Sequence, residues 1–398
     1  MTTSSLPTIR LKPKTQARAI RHGFPWVYDN ELVTDRRTKA IAPGTIALLE
    51  DSDRAPVATV TVNPSSRIMA RVLDRDPNVQ IDQAWIEGRL QRAHTMRERV
   101  FDAPYYRLVH AEADGLPGVI IDRFGEIAVV QPNAAWAEIL LPQIVDSLVK
   151  VTGVTCVIKN ASGRARVLEG LDDSSGALLG DMPVSPRPVV MNSATYMADL
   201  TGGQKTGLFY DQRPNHAFAA TLAAESRVLD VFSHVGGFSL AALAAGAASA
   251  LAVDGSQPAL ELAQEGAGRM GATDRFSTRK GDAFEVMSAL AEEGETFDVV
   301  ICDPPAFAPN KQVLEKGLRA YERVARLAAP LVAEGGYLGL CSCSHAATLD
   351  KFRAACVKGI GRAGREGSLI HTGFAGPDHP LHPQLAESGY LKALFFRL

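Results

Sequence analysis

Between residues 227 and 303 the chain repeats one pattern four times: a short, largely apolar run closes on an aspartate, and a helical stretch follows. The runs are 227–231 with Asp230, 250–254 with Asp254, 277–283 with Asp282 and 297–303 with Asp303. Helical periodicity over 257–269 and 283–291 separates the later runs. Such alternation predicts a parallel, doubly wound sheet that takes its ligand at the carboxyl ends of the strands. A fifth strand is expected over 336–344, after a helix over 314–333, and residues 368–373 and 390–396 read as a terminal antiparallel hairpin.

The first of these strands leads into RVLDVFSHVGGFSL, residues 227–240. It reads as strand, tight turn over Ser233 to Gly237, and helix start. Glycines at such a turn let the backbone approach a ligand closely, and a strand-terminal acid can accept bonds from ligand amines or hydroxyls. Asp254 follows Asp230 at about the 20-residue spacing at which an acid meets a ribose in nucleotide-binding units. The turn departs from G-x-G-x-x-G, so a nicotinamide cofactor is the weaker reading. Aspartate also caps helix N-termini routinely, and for any one of the four positions that reading competes. Four in register favour a ligand crevice. Just upstream, residues 191–213 read as strand, Gly-rich turn and strand. Their polar set Gln204, Lys205, Asp211, Gln212 and Arg213 could be a solvated hairpin, but its position makes a ligand-facing wall the better reading.

At 398 residues the chain exceeds one ordinary core. Three domains are expected, over 1–75, 76–188 and 189–398. The first is β-rich, with short strands at 8–11, 24–28, 47–50, 56–62 and 69–73, and its segments GFPWVYDNEL and VNPSSRIMARVL resemble the PUA domains of RNA-modifying enzymes. That resemblance implies a pseudo-barrel that touches RNA. The middle domain reads as α+β: a helix over 81–100, strands over 106–110, 118–124, 126–131 and 156–160, and a helix over 136–151. The net charge of −2 excludes global attraction to a polyanion, so a nucleic-acid partner must meet local basic patches. One lies between residues 10 and 39, where eight lysines and arginines outnumber Asp29, Glu31 and Asp35; a plain solvated face explains it equally well. No apolar run is long enough to span a membrane and the first residues lack a signal-peptide core, so a cytoplasmic protein is expected.

The motif series D-V-F-S-H-V-G-G-F-S-L, V-D-G-S, G-D-A-F, D-P-P-A-F and C-S-C-S resembles the class I S-adenosylmethionine-dependent RNA methyltransferases. With G-G-Q-K-T-G-L-F-Y-D-Q-R and the PUA-like start, it is similar over nearly the full chain to the bacterial 23S ribosomal RNA cytosine-C5 methyltransferase family. The resemblance implies an α/β fold: a doubly wound, Rossmann-like methyltransferase domain preceded by a small β-rich PUA-like domain and an α+β middle domain. It implies S-adenosylmethionine as cofactor and ribosomal RNA as partner, with no membrane and with a homodimer left open. Asp230, Phe232, Ser233, Gly236 and Gly237 would cradle the methionine part, Asp254 with Gly255 and Ser256 the ribose, and Asp282 with Ala283 the adenine edge. Lys205, Phe209 and Asp303 complete the cofactor side, and Pro304, Pro305, Phe307 and Arg213 the substrate side. His234, Gly255 and Tyr210 depart from the residues common in the family.

Carbon 5 of cytosine is a poor nucleophile, so the ring must first be activated by covalent addition. Among Cys156, Cys302, Cys341, Cys343 and Cys356, an odd number without C-x-x-C spacing, Cys343 stands at the carboxyl end of the fifth strand and matches the family's nucleophile. By the same resemblance Asp303 would bond cytosine N3 and its exocyclic amine. Related enzymes carry a second cysteine where this chain has Ala306, so product release would proceed without it. Cys341, Cys343 and His345 have the spacing of a Cys-x-Cys-x-His metal triad, but zinc sites usually want four ligands and loop spacing, and no metal is expected. Guanine methylation, and a non-catalytic RNA-binding assembly factor, are the alternatives.

Overall fold

The computed structural model describes residues 6–184, 186–201 and 207–398. Strands β1 (Thr8–Arg10), β2 (Trp26–Val27), β3 (Thr45–Glu50), β4 (Pro56–Val62) and β5 (Ala70–Asp74) form one sheet in the order β1-β3-β4-β5-β2. Only β1 and β3 pair in parallel. Alternation along β3 turns Ala47 and Leu49 inward, where with Ile9, Leu11, Val27, Val60 and Val62 they make a small separate core.

The helix Gln83–Val100 starts where the Asp82 carboxylate accepts from Trp85 N, and it buries Ile86, Leu90 and Ala93. It packs on a second sheet made of β6 (Tyr105–His110), β7 (Val119–Phe124), β8 (Ile127–Pro132), β9 (Cys156–Lys159) and β10 (Gly176–Leu179), ordered β10-β9-β8-β7-β6. The single helix expected over 136–151 is two, Ala135–Ile139 and Leu141–Thr152. The break falls at Leu140, and Pro142 just beyond it has no N–H to continue the helical ladder to Glu138 O. A buried Glu169 carboxylate accepts from Asn63 Nδ2 at 2.9 Å, Ser66 Oγ at 3.1 Å and Arg71 Nη2 at 3.1 Å, so the β-rich part and the middle part share a satisfied polar seam. Together with Pro380–Leu385 they make one compact unit, which ends at Pro183.

The second unit, Val184–His379 with Ala386–Leu398, opens on a hairpin of β11 (Arg187–Met191) and β12 (Ala194–Ala198). Its two turn residues, Asn192 and Ser193, have φ of 51° and 59°, the left-handed pair that suits the twist of a tight hairpin. This corrects the strand, turn and strand expected over 191–213. The hairpin lies earlier, Gln204 and Lys205 fall outside the described residues, and Tyr210–Gln212 is a 3-10 turn running into the helix Arg213–Thr221.

The main sheet holds β13 (Arg227–Val231), β14 (Ser249–Asp254), β15 (Phe276–Lys280), β16 (Phe297–Cys302), β17 (Val332–Ser342), β18 (Ser368–Gly373) and β19 (Lys392–Arg397), ordered β15-β14-β13-β16-β17-β19-β18. The first five are parallel, and the terminal hairpin adds β19 and β18 antiparallel. The order reverses at β13, and this switch point is where such sheets open a crevice. The helix expected to reach residue 333 stops at Ala328. Pro330 sits in a 3-10 turn over Ala329–Leu331, and β17 therefore starts four residues before the expected Gly336. Leu229, Val231, Val300, Leu338 and Leu394 lie in the core of this layer. Among the described residues no helix is long and apolar enough to cross a membrane.

Candidate active site

Strand β13 ends at Val231, and the chain turns through residues 232–236 before the helix Gly237–Ala244. Phe232, His234 and Gly236 have φ of 64°, 49° and 79°. Glycine takes that conformation without steric penalty, whereas each of the other two stores strain of order 1–3 kcal/mol. Ser233 N donates to Val253 O at 3.0 Å and His234 N to Asp254 Oδ2 at 2.9 Å, so β14 holds the turn in place. The second Asp254 oxygen accepts from Ser256 N at 2.8 Å. A carboxylate has about four lone-pair sites, which leaves both oxygens capacity for ligand hydroxyls.

These turns wall a cavity of about 890 Å³ at the carboxyl ends of the strands. Of the residues expected to hold the cofactor, Phe209, Phe232, Ser233, Gly237, Asp254, Gly255, Ser256, Asp282, Ala283 and Asp303 line it. Pro304, Pro305 and Cys343 line it from the substrate side. The donor set suits an amino-acid-bearing nucleoside: carboxylates for ribose and amine, apolar walls for the base, and a buried Ser233 Oγ that makes no hydrogen bond among the described residues. Gly237 is a close-approach position in the literal sense, since a Cβ there would lie 2.6 Å from His216 Nε2.

Other expected residues stand elsewhere. Asp230 does not line the cavity. It is fully buried, and its Oδ2 accepts from Ser239 N and Oγ, both at 2.9 Å, which ties the strand end to the first helical turn. Burial pushes its carboxyl up to about 6 against the lowering effect of those bonds. Gly236 shapes the turn without facing the space. Phe307 packs against Tyr321, ring centroids 5.1 Å apart, beneath the Asp303-Pro304-Pro305 corner. Arg213 lies over the Tyr210 ring at 5.4 Å instead of facing the cavity. Lys205 lies outside the described residues. Asp282 sits two residues past β15 and not at a strand end; it caps the helix Ala283–Glu292 by accepting from Phe284 N and Glu285 N at 2.9 and 3.2 Å, and it lines the cavity as well.

The five thiols separate by burial. Cys156, Cys302, Cys341 and Cys356 are buried, and desolvation raises each thiol above its ordinary value. Cys343 is half-exposed on the cavity wall, its Sγ 4.0 Å from Pro304 O. The loop carrying it is braced on both sides. Ser344 Oγ accepts from Ala308 N at 2.9 Å and bonds Tyr321 Oη at 2.7 Å, linking this loop to the Pro-Pro corner. Behind it a buried Lys392 donates to Ser344 O at 2.8 Å and Ala347 O at 2.7 Å. Burial pushes the Lys392 ammonium down to about 8, and the negative charge of a Cys343 thiolate works against that fall. Among the described residues no three His, Cys, Asp or Glu side chains are placed to hold a metal ion.

Several wall residues escaped the sequence reading of the site. These are Asp199, His216 and Tyr390; the expected wall residues Asp211 and Gln212 line the cavity beside them, and Tyr390 Oη donates to Asp211 Oδ2 at 2.6 Å. The polar set upstream of the first strand signalled Asp211 and Gln212. Nothing local signalled Tyr390 or Lys392, which arrive from the far end of the chain.

Residues 139–397 match the family model of S-adenosylmethionine-dependent methyltransferases, and residues 9–75 that of PUA-like domains. A solved S-adenosylmethionine-dependent methyltransferase from Streptococcus mutans superposes with a TM-score of 0.81 at 18% identity, covering 99% of this chain and 100% of that one. A methyltransferase complexed with SAH gives 0.81 at 19% identity, over 98% and 99%. Fold and cavity thus define a methyltransferase that uses S-adenosylmethionine. Ribosomal RNA large subunit methyltransferase I of Klebsiella pneumoniae strain 342 is 33% identical over 402 residues, 100% of each chain, and that of Escherichia coli O157:H7 is 31% identical over 390 residues, 97% of this chain and 98% of the relative. The chain belongs to the S-adenosylmethionine-dependent methyltransferases and, among them, to the family of these two relatives.

Proposed function

We propose that the chain methylates carbon 5 of a cytosine in large-subunit ribosomal RNA through a covalent adduct on Cys343. The half-exposed Cys343 thiol on the wall shared with Asp303, Pro304 and Asp254 carries this reading. The names of the full-length relatives and the PUA-like domain support the RNA class. Bound S-adenosylmethionine supplies an electrophilic methyl group. The Cys343 thiolate adds to carbon 6 and moves the ring's electron pair to carbon 5, which would take the methyl as the donor's sulfur–methyl bond breaks and its pair stays on that sulfur. Asp303 accepts from the exocyclic amine and balances the proton on N3. Carbon 5 then gives up its hydrogen as a proton to a base, the double bond reforms, and the carbon–sulfur bond breaks to return the thiolate. Lys392 holds the nucleophile's loop and sets a positive charge near the sulfur, which favours the thiolate. Such a base must be unstacked to reach the site, so a loop or unfolded rRNA segment is the expected substrate.

The test is methyl transfer from labelled cofactor to large-subunit rRNA lacking the modification, with the modified base mapped. Label on cytosine C5 that disappears in Cys343→Ala is expected. Label on guanine, or transfer that survives the substitution, would sink the proposal; no transfer to any RNA would leave only a binding factor.

A further inference from the structure

The helices Leu314–Ala328 and Leu349–Arg362 pack against each other with Gly359 at the crossing, where a Cβ would run into the Glu322 carbonyl oxygen. On the outer side of that crossing lies a groove of about 520 Å³ lined by Arg319, Glu322, Arg323, Arg326, Lys358 and Arg362. Five cations thus surround one carboxylate in a chain whose net charge is −2. Glu322 pairs with Lys358 at 3.0 Å and with Arg362, and bonds from those two cations hold its carboxyl below the usual range. Arg319, Arg323 and Arg326 are exposed and make no ion pair among the described residues.

Like charges at i,i+3 and i,i+4 disfavour a helix by a few tenths of a kcal/mol per pair unless acids offset them. Here Arg319, Arg323 and Arg326 stack on one face, and among the described residues neither Glu315 nor Glu322, the acids four residues before Arg319 and Arg326, is ion-paired to them, Glu322 being held by Lys358 and Arg362; a bound polyanion would relieve this arrangement. The groove also adjoins the cavity. Arg323 Cζ stands 4.4 Å from the Phe284 ring centroid, Phe284 follows the cavity residue Ala283, and its ring lies 6.3 Å from that of the cavity residue Phe232.

We propose that this groove binds the phosphodiester backbone of the RNA substrate beside the target nucleotide, with Arg319, Arg323 and Arg326 each on one phosphate. The proposal rests on the RNA reading above and adds a surface to it. Backbone contacts of this kind position a nucleic acid without reading its sequence, so the groove sets affinity and register while the cavity selects the base.

The experiment measures binding of the full-length protein to a large-subunit rRNA fragment across a potassium chloride series. Wild type is compared with Arg319→Gln/Arg323→Gln/Arg326→Gln and with the same three positions as lysine. SAH affinity and thermal midpoint monitor the fold. Each lost phosphate contact should lower the slope of log affinity against log salt by about 0.7–0.9. The glutamine variant should therefore bind at least about tenfold more weakly at low salt, with a slope shallower by about 2, while the lysine variant keeps the wild-type slope. Unchanged affinity and slope in a glutamine variant that binds SAH normally would overturn the groove and leave the RNA reading standing. Failure of wild type to bind any RNA would overturn both.

Discussion

Cys341 and Cys343 are two residues apart on one strand end, yet their surroundings give them different chemistry. Cys341 is buried beside Asp303, where both desolvation and the like charge oppose a thiolate. Cys343 reaches the cavity, and the nearby cation is Lys392. If that cation favours the thiolate, Lys392→Met should leave less of Cys343 as thiolate, and its alkylation by iodoacetamide at pH 7.5 should slow by about three- to tenfold. Because burial lowers Lys392 to about 8, the wild-type advantage should also shrink as pH rises through that value and the ammonium loses its proton. Identical alkylation profiles for the two proteins would show that Lys392 only braces the loop. Asp254 could be picked out from sequence because it ends a strand with its own apolar signature, whereas Cys343 was singled out from Cys341 only by the family resemblance of its motif. Lys392 could not, since its bond to the Ser344 carbonyl spans 48 residues.

The turn after β13 is where local and tertiary demands conflict most. Alanine at the start of a helix is intrinsically better than glycine by up to about 1 kcal/mol. At Gly237, however, a Cβ would meet His216 Nε2 and Cε1 at 2.6 and 2.7 Å. The imidazole cannot retreat: it is buried, and the Phe238 ring stands edge-on to it with centroids 4.5 Å apart. Gly237→Ala should therefore destabilise the protein by about 1–3 kcal/mol despite its helix propensity, and weaken SAH binding by at least about tenfold. A denaturant midpoint and a calorimetric titration read both effects; wild-type values in each would show that the turn has slack. The glycines and the strand either side of this turn were legible in the sequence, as was the parallel order of the sheet. The left-handed Phe232 and His234 were not, because the turn is held there by bonds that Ser233 N and His234 N donate to Val253 O and Asp254 Oδ2. Likewise the Ala-rich helix before β17 gave no sign of ending early except Pro330, whose effect depends on where β17 must start.

At the scale of the whole chain, the two compact units have cores of different kinds. The N-terminal unit joins two sheets through the buried Glu169 seam, and the other wraps helices around one mostly parallel sheet. Periodicity made the β-rich start and the alternating strands and helices of the second half legible, and the motifs within them carried the resemblance to PUA-like and methyltransferase domains. The Glu169 seam could not, since it joins residues about a hundred positions apart, such as Asn63 and Glu169 at a separation of 106. The proposed chemistry needs one molecule to bring a cytosine, a methyl donor and the Cys343 thiol together, and one measurement reads all three at once. RNA carrying 5-fluorocytidine at the target position is incubated with the protein and S-adenosylmethionine. Fluorine at carbon 5 leaves no proton to remove after methyl transfer, so elimination of the thiolate is blocked and the adduct persists. A denaturation-stable protein–RNA complex should form in which mass spectrometry finds a methylated fluorocytidine on the peptide containing Cys343, and Cys343→Ala should form none. Methylated RNA without any covalent complex, or a complex formed on another residue, would contradict the mechanism.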